Sequence, residues 1–121
     1  MEIGDFDDSL QVRAPNVMAN MSETRVMGYI QRTPEKLDAF CEGALVRVYP
    51  KGTRVGSSNP DPIPFWRHGC QIVALNIQHF GIECFVNYAK FSDNNNAGYV
   101  LKRRKTDERV QRRVKVRVLG G

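Results

Sequence analysis

Arg47 and Tyr49 are the residues of this chain whose types and spacing are best suited to chemistry. They lie in the segment Leu-Val-Arg-Val-Tyr, residues 45–49, whose β-branched content predicts a strand that ends before Pro50. Side chains two residues apart on a strand point to the same side of it. A guanidinium offers a planar fork of donors that matches the oxygens of a phosphate. Taken alone, the pair is equally compatible with phosphate binding and with a surface arginine beside a buried tyrosine.

The segments before this strand predict a short strand and two helices. Residues 17–21 are compatible with the strand, and Ser22 followed by Glu23 is typical of a helix start, with a capping hydroxyl and an acid in the first turn. A second helix is predicted to begin at Pro34, because proline is tolerated in the first turn. The buried stripe of that helix is predicted to contain Leu37, Phe40, Cys41 and Ala44.

The segments after the strand predict turns and further short strands. Residues 51–64 are rich in glycine, proline and serine, and a helical turn is expected at 64–68. The apolar run at 70–77 predicts a strand buried on both faces, as in a parallel sheet. Strands are also predicted at residues 84–87, 98–101 and 113–119. Strands separated by helices or long loops favour a partly parallel α/β fold.

Composition limits the size and class of the protein. A chain of 121 residues suits one modest domain, whereas a complete eight-stranded barrel takes about 250. No apolar run approaches the ~20 residues that span a bilayer, and the acidic first nine residues do not resemble a signal peptide. The three cysteines have spacings that suit neither zinc nor a disulfide framework, so free thiols in a reducing cytosol are expected.

The net charge of +5 is concentrated near the C-terminus, where residues 101–117 carry nine basic and two acidic side chains. Such a run is compatible with an anionic lipid surface, with nucleic acid, or with a solvated linker.

The order of several rare residues resembles the Y box of eukaryotic phosphoinositide-specific phospholipase C. The matching pieces, in chain order, are Arg-Val-Tyr-Pro at 47–50, Ser-Ser-Asn at 57–59, Phe-Trp at 65–66 and Gly-Cys-Gln-Ile-Val-Ala-Leu-Asn at 69–76. The resemblance implies an α/β fold that forms the second half of a (β/α)8 TIM-type barrel, with about four βα units in residues 19–102. A mostly irregular lead-in, 1–18, would precede it. A basic linker and the first strand of a truncated lipid-binding β-sandwich, 103–121, would follow it.

The resemblance also implies site residues. Arg47 is expected to bind the phosphates of an inositol headgroup, and Tyr49 is expected to pack against its ring. Asn20 stands where the family usually has a phosphate-binding serine, two residues before a Ser-Glu pair, and is expected to be the third substrate-binding residue. Its amide can still donate to a phosphate, although it is bulkier than a hydroxyl. The catalytic histidines and calcium-binding carboxylates of the family lie in the X half, so no catalytic or metal-binding residue is assigned here.

The implied function is the Y half of a phospholipase C that hydrolyses phosphatidylinositol 4,5-bisphosphate to diacylglycerol and inositol trisphosphate. The implied cofactor is Ca2+, and the implied partners are the X half, in cis or in trans, and an anionic membrane surface in the cytoplasm. The chain alone is expected to be inactive.

Two alternatives belong to other functional classes. The first is a non-catalytic phosphoinositide-binding or scaffold protein with a degenerate barrel. The second is a small nucleic-acid-binding domain, suggested only by the basic run. It lacks the recognition motifs and the interleaved aromatic and basic residues of such domains, so no nucleic acid partner is expected.

Overall fold

The structure, a computed structural model, describes Leu10 and residues 18–102. Its strands are β1 (Met18–Ser22), β2 (Leu45–Tyr49) and β3 (Ile72–Val73). Its helices are α1 (Glu23–Arg32), α2 (Pro34–Gly43), α3 (Ile63–Arg67) and α4 (Ile82–Phe91), and a 3₁₀ turn follows at Asn94–Asn96. No described helix has the length and apolar character needed to cross a bilayer.

The three strands form one parallel sheet in the order β1-β2-β3. In this register Asn20 lies opposite Arg47, Ser22 lies opposite Tyr49, and Arg47 also lies opposite Ile72. Because the strands are parallel, all three direct their carboxyl ends toward the same edge of the sheet.

One face of the sheet is covered by α1 and α2. Val46 and Val48 point to this face and are fully buried, together with Met21 of β1. The helices contribute Val26, Tyr29, Leu37, Phe40 and Cys41 to the same core. Burying an aliphatic or aromatic side chain of this size stabilises the fold by about 1.5–3 kcal/mol. This core therefore determines which way the strands face.

The opposite face of the sheet is largely exposed, and we call it the open face. Strand alternation places on it the side chains that are not under the helices. Its members are Met18, Asn20, Leu45, Arg47, Tyr49 and Ile72. The open face is a mixed surface, because polar Asn20 and Arg47 lie among the apolar side chains of Met18, Leu45 and Ile72.

The local predictions for the first half of the chain are confirmed, except that the expected side-chain cap at Thr33 is wrong. The Ser22 hydroxyl caps α1 by accepting a hydrogen bond from the Arg25 N–H at 3.3 Å, and α2 begins at Pro34. Thr33 occupies the cap position of α2, but its side chain makes no capping hydrogen bond. The strand at Leu45–Tyr49 has the predicted bounds.

The predictions for the second half of the chain are partly wrong. The run at 70–77 forms a strand only at Ile72–Val73, although the Ala74 N–H still donates to the Val48 carbonyl at 2.8 Å. It is not buried on both faces, since Ile72 is 39% exposed. Within the described chain β1 and β3 each pair only with β2, so both outer strand edges lack a partner strand.

The strand predicted at 84–87 is a helix, because the segment belongs to α4. Cys84, Tyr88 and Phe91 recur at the spacing of helical turns, a period that a short apolar run conceals. Residues 98–101 are not paired in the sheet. The α/β class is confirmed, whereas the half-barrel arrangement stays a prediction. The predicted lead-in, except for Leu10 and Met18, and the predicted linker and strand at 103–121 lie outside the described residues.

The exposed apolar side chains of the open face predict that the isolated chain associates with itself. Contiguous exposed apolar surface favours self-association. We expect the isolated chain to form dimers or larger species, and Leu45→Glu to shift it toward monomer by placing a charge on the open face. Sedimentation velocity at several concentrations measures the effect. Val55→Glu is the matched control, because Val55 is 95% exposed and lies in the loop after β2. A monomeric unmodified chain, or equal effects of the two substitutions, would contradict this assignment.

Candidate functional site

The three predicted substrate-binding residues lie together on the open face. Asn20 and Arg47 occupy directly opposed positions on β1 and β2. The Arg47 Nη1 donates to the Asn20 Oδ1 at 3.5 Å, a long contact that aligns the two side chains across the strands. Tyr49 lies two residues further along β2, opposite Ser22, and is 39% exposed. The structure thus brings together a guanidinium, an amide and a phenol near the carboxyl ends of two parallel strands.

This edge is where parallel α/β folds bind ligands, because the loops that leave the strands can surround a substrate there. Arg47 is only half-buried, so its guanidinium keeps part of its surface available to a ligand. The side chains of Asn20 and Tyr49 are exposed as well. In this arrangement the guanidinium and the amide offer hydrogen-bond donors to an anionic group.

Glu23 connects the end of β1 to the loop after β2. Its carboxylate is buried and accepts hydrogen bonds from the Arg54 Nε at 2.6 Å and the Arg54 Nη2 at 2.8 Å. It also accepts from the Lys51 N–H at 3.0 Å. Arg54 donates further to the Ser58 Oγ at 3.0 Å and the Asn59 carbonyl at 3.2 Å. A bidentate charged pair of this kind fixes orientation as well as distance.

Glu23 and Arg54 perturb each other's titration. Burial by itself raises the pKa of Glu23, but the hydrogen bonds from Arg54 and the Lys51 N–H outweigh burial and hold the pKa below its usual value. The hydrogen bond to Glu23 raises the pKa of Arg54. The pair is therefore charged throughout the neutral range.

Asn59 connects the loop after β2 to the loop after β3. Its Nδ2 donates to the Asn76 carbonyl at 3.1 Å and the His79 carbonyl at 3.0 Å, and its Oδ1 accepts from the Asn76 N–H at 2.6 Å. Asn59 is buried, so these bonds satisfy a polar group that would otherwise be costly. Together with Glu23, it joins the carboxyl ends of all three strands.

Sequence reasoning missed both of these connections. In the sequence, Glu23 looks like an ordinary acid in the first turn of a helix. The Ser-Ser-Asn segment at 57–59 looks like an ordinary turn, in which such side chains bond to nearby backbone. Their partners lie 31 and 17 residues away, and no local pattern indicates contacts at such distances. A shallow cavity of about 220 Å3 borders Glu23 and Arg54, but neither Arg47 nor Asn20 lines it.

The described residues offer no metal site. None of their histidine, cysteine, aspartate and glutamate side chains form a group of three or more that could hold an ion. Glu23 is buried and directly follows β1, but its carboxylate already accepts hydrogen bonds from Arg54 and the Lys51 N–H. His68 pairs through its Nδ1 with the Asp38 Oδ1 of α2 at 2.8 Å, so its contact is with an outer helix. The described residues do not fit a calcium ion.

The comparisons with known proteins agree with this architecture. The family model described as phosphatidylinositol-specific phospholipase C, Y domain, matches residues 1–105. The 1-phosphatidylinositol 4,5-bisphosphate phosphodiesterase eta-2 of Mus musculus is 42% identical over 100 residues, which cover 83% of this chain and 7% of that protein. The delta-1 phosphodiesterase of Homo sapiens is 45% identical over 85 residues, which cover 70% of this chain and 11% of that protein.

A solved structure is similar in both sequence and fold. The crystal structure of S. officinalis PLC21 matches with a TM-score of 0.68 and 43% identity, over 71% of this chain and 11% of that one. The fold thus defines part of a parallel α/β domain. The chain belongs to the phosphatidylinositol-specific phospholipase C family and corresponds to its Y domain. It matches only about 5–11% of the length of such relatives.

The lowered pKa of Glu23 predicts that the stability of the fold depends on pH. Because its pKa is lower in the folded chain than the ordinary value of about 4.3, its stabilising contribution is present above that value and is lost as pH falls through the folded pKa. We expect Glu23→Gln to lower the free energy of unfolding by about 1–3 kcal/mol at pH 7, since Arg54 loses its charged partner. The difference from the unmodified chain should shrink toward pH 3.

Urea unfolding at pH 7, 5, 4 and 3 measures this difference. Glu35→Gln is the matched control, because Glu35 is an exposed acid in the first turn of α2. A loss for Glu23→Gln that stays constant down to pH 3 would show that the pairing with Arg54 contributes nothing.

Proposed function

We propose that this chain is the Y half of a phosphoinositide phospholipase C barrel and that it supplies headgroup-binding residues to a site completed by the X half. The observation that carries the proposal is the juxtaposition of Asn20 and Arg47 across β1 and β2. These positions come from separate segments of the chain, and both belong to the predicted headgroup site. Family membership supports the same reading, because the relatives are named as phosphatidylinositol 4,5-bisphosphate phosphodiesterases.

Arg47 is the principal anchor in this proposal. A guanidinium remains charged at any working pH and can donate two parallel hydrogen bonds to one phosphate. The contact with the Asn20 Oδ1 orients the guanidinium within the plane of the open face. The amide nitrogen of Asn20 remains a donor for a second phosphate oxygen. Tyr49, on the same face, packs its ring against the inositol. Together these groups orient the headgroup for reaction.

The X half is the proposed partner for the open face. The leucine and isoleucine side chains exposed there are suited to burial by further strands of a barrel. By resemblance, that half also supplies the acid–base histidines and the Ca2+ ligands, so this chain alone is proposed to be inactive. Ca2+ would stabilise negative charge at phosphorus when the assembled enzyme binds it. The assembled protein is proposed to act in the cytoplasm at the surface of membranes that contain phosphatidylinositol 4,5-bisphosphate.

A second candidate is a non-catalytic phosphoinositide-binding or scaffold protein. The specific observation that favours it is Asn20, which stands where the family usually has serine and already engages Arg47. In that case headgroup affinity would persist without turnover, whatever partner is added.

A reconstitution assay tests the proposed function. The assay uses mixed micelles that contain phosphatidylinositol 4,5-bisphosphate, in the presence of Ca2+. It is run with this chain alone and with this chain co-expressed with the X half of a relative. We expect turnover only in the mixture. Arg47→Ala should lower kcat/KM by about 10- to 100-fold, the equivalent of one charge-assisted hydrogen-bonded anchor. Arg67→Ala is the matched control, since Arg67 is an exposed arginine of α3.

Turnover by the mixture that survives Arg47→Ala would overturn the assignment of Arg47. Absence of turnover in every mixture, with headgroup binding retained, would favour the scaffold candidate over the enzyme half.

Asn20→Ser tests the role of the amide separately. We expect the substitution to raise kcat/KM several-fold in the reconstituted mixture, because a hydroxyl is smaller and no longer holds the Arg47 guanidinium toward β1. Asn87→Ser on α4 is the control for the same chemical change. A lower kcat/KM with an unchanged KM would instead indicate that the amide stabilises the transition state.

A further inference from the structure

Two of the three cysteines form a buried pair. The Sγ atoms of Cys41, on α2, and Cys70, just before β3, are 3.9 Å apart and hydrogen-bonded, with only 1% and 2% of the two residues exposed. Cys84 is also buried, but its sulfur accepts from the Asn59 Nδ2 at 3.6 Å and contacts the His79 carbonyl at 3.8 Å. The chain therefore contains one thiol pair and, in Cys84, a buried thiol with a different set of partners.

A lysine side chain packs beside the pair. The Lys102 Nζ donates to the Cys41 carbonyl at 2.6 Å. Gly69, at φ +82°, makes room for this contact, because a Cβ there would lie 2.9 Å from the Lys102 Cε and 3.2 Å from the Cys41 Cβ. Lys102 is itself exposed, whereas both cysteines are buried, so a small reagent reaches the pair only through local opening of the fold.

The surroundings shift the pKa values of the two thiols in opposite directions. The hydrogen bond from Cys70 lowers the pKa of Cys41 against the opposing effect of burial; the Lys102 ammonium lowers it further, and Asp38 raises it. The same hydrogen bond and burial raise the pKa of Cys70. Because the thiolate is the reactive form of cysteine, Cys41 is the member of the pair that reacts first.

We propose that Cys41 and Cys70 form a modification site that a hydroperoxide oxidises to an intramolecular disulfide. The Cys41 thiolate attacks the peroxide oxygen, forming a sulfenic acid and releasing hydroxide or alkoxide, which takes up a proton. The Cys70 sulfur then gives up its proton and attacks the Cys41 sulfur, and the sulfenic oxygen leaves as water. Two thiols lose two electrons in total, and these reduce hydrogen peroxide to two molecules of water.

The disulfide would close a segment that carries two of the three headgroup residues. Arg47 and Tyr49 lie between the two cysteines in the chain, as do the loop residues Arg54 and Asn59, whereas Asn20 precedes both cysteines. The sulfurs need only approach from 3.9 Å to the bond length of about 2.05 Å. Oxidation would therefore restrain residues 41–70, whether or not the X half is present. The inference stands independently of the proposed function.

Peptide mapping of the full chain tests the proposal. The reduced chain is treated with hydrogen peroxide, the remaining thiols are alkylated, and chymotrypsin, which cleaves after Phe80, separates Cys70 from Cys84. We expect a peptide pair crosslinked between Cys41 and Cys70, formed at least tenfold faster than any oxidation of Cys84. Dithiothreitol should reduce the crosslink and separate the two peptides. The apparent melting temperature of the oxidised chain should exceed that of the reduced chain by several degrees.

Matched variants make the result decisive. Cys84→Ser should still form the crosslink, whereas Cys41→Ser and Cys70→Ser should lose it together with the shift in melting temperature. Mapping of the unmodified chain decides the question even if either of the latter variants fails to fold. Crosslinks that involve Cys84, only intermolecular disulfides, or oxidation of Cys41 beyond sulfenic acid without a crosslink would each overturn the proposal.

Discussion

The structure depends above all on the parallel register between β1 and β2. Because side chains alternate along a strand, a slip of one residue would move Val46 and Val48 onto the open face and force Arg47 beneath the helices. Burial of an unpaired guanidinium would cost far more than the two valines could offset. The apolar packing under α1 and α2 therefore also determines that Asn20 lies opposite Arg47. Stability and the placement of the candidate site have the same physical cause.

Polar interactions hold the carboxyl-end loops in addition to the packing of Phe65 in the core. Glu23 positions the start of the loop after β2 through Arg54, and Asn59 connects the far end of that loop to the one after β3. Gln71 has a similar role at the amino end of β2. Its amide donates to the Cys41 and Ala44 carbonyls and accepts from the Val46 N–H. Asn59 and Gln71 each satisfy three backbone groups, and Glu23 satisfies the Lys51 N–H as well as the Arg54 guanidinium, so loops without regular structure still have defined positions.

The two faces of the sheet have different roles. The covered face is a complete small core, which accounts for a recognisable α/β fold in a segment that spans a small fraction of its relatives' length. The open face exposes polar and apolar side chains together, which suits the proposed contacts with a headgroup and with the X half. The buried thiols of Cys41 and Cys70 lie at the junction of α2 and β3, apart from the open face, where a covalent link would restrain the fold without entering the site.

The amino-acid sequence by itself determined the local elements and the family. The strand at Leu45–Tyr49, the Ser22 cap, the proline start of α2 and its stripe at Leu37 and Phe40 all depend on residues within a few positions of one another. Only the tertiary structure decided that 82–91 is a helix and that β3 is short and exposed at the sheet edge. It alone revealed the partners of Glu23, Asn59 and Cys41. The physical reason is that these contacts join residues 17 to 31 positions apart, and their geometry exists only after the strands have paired in register.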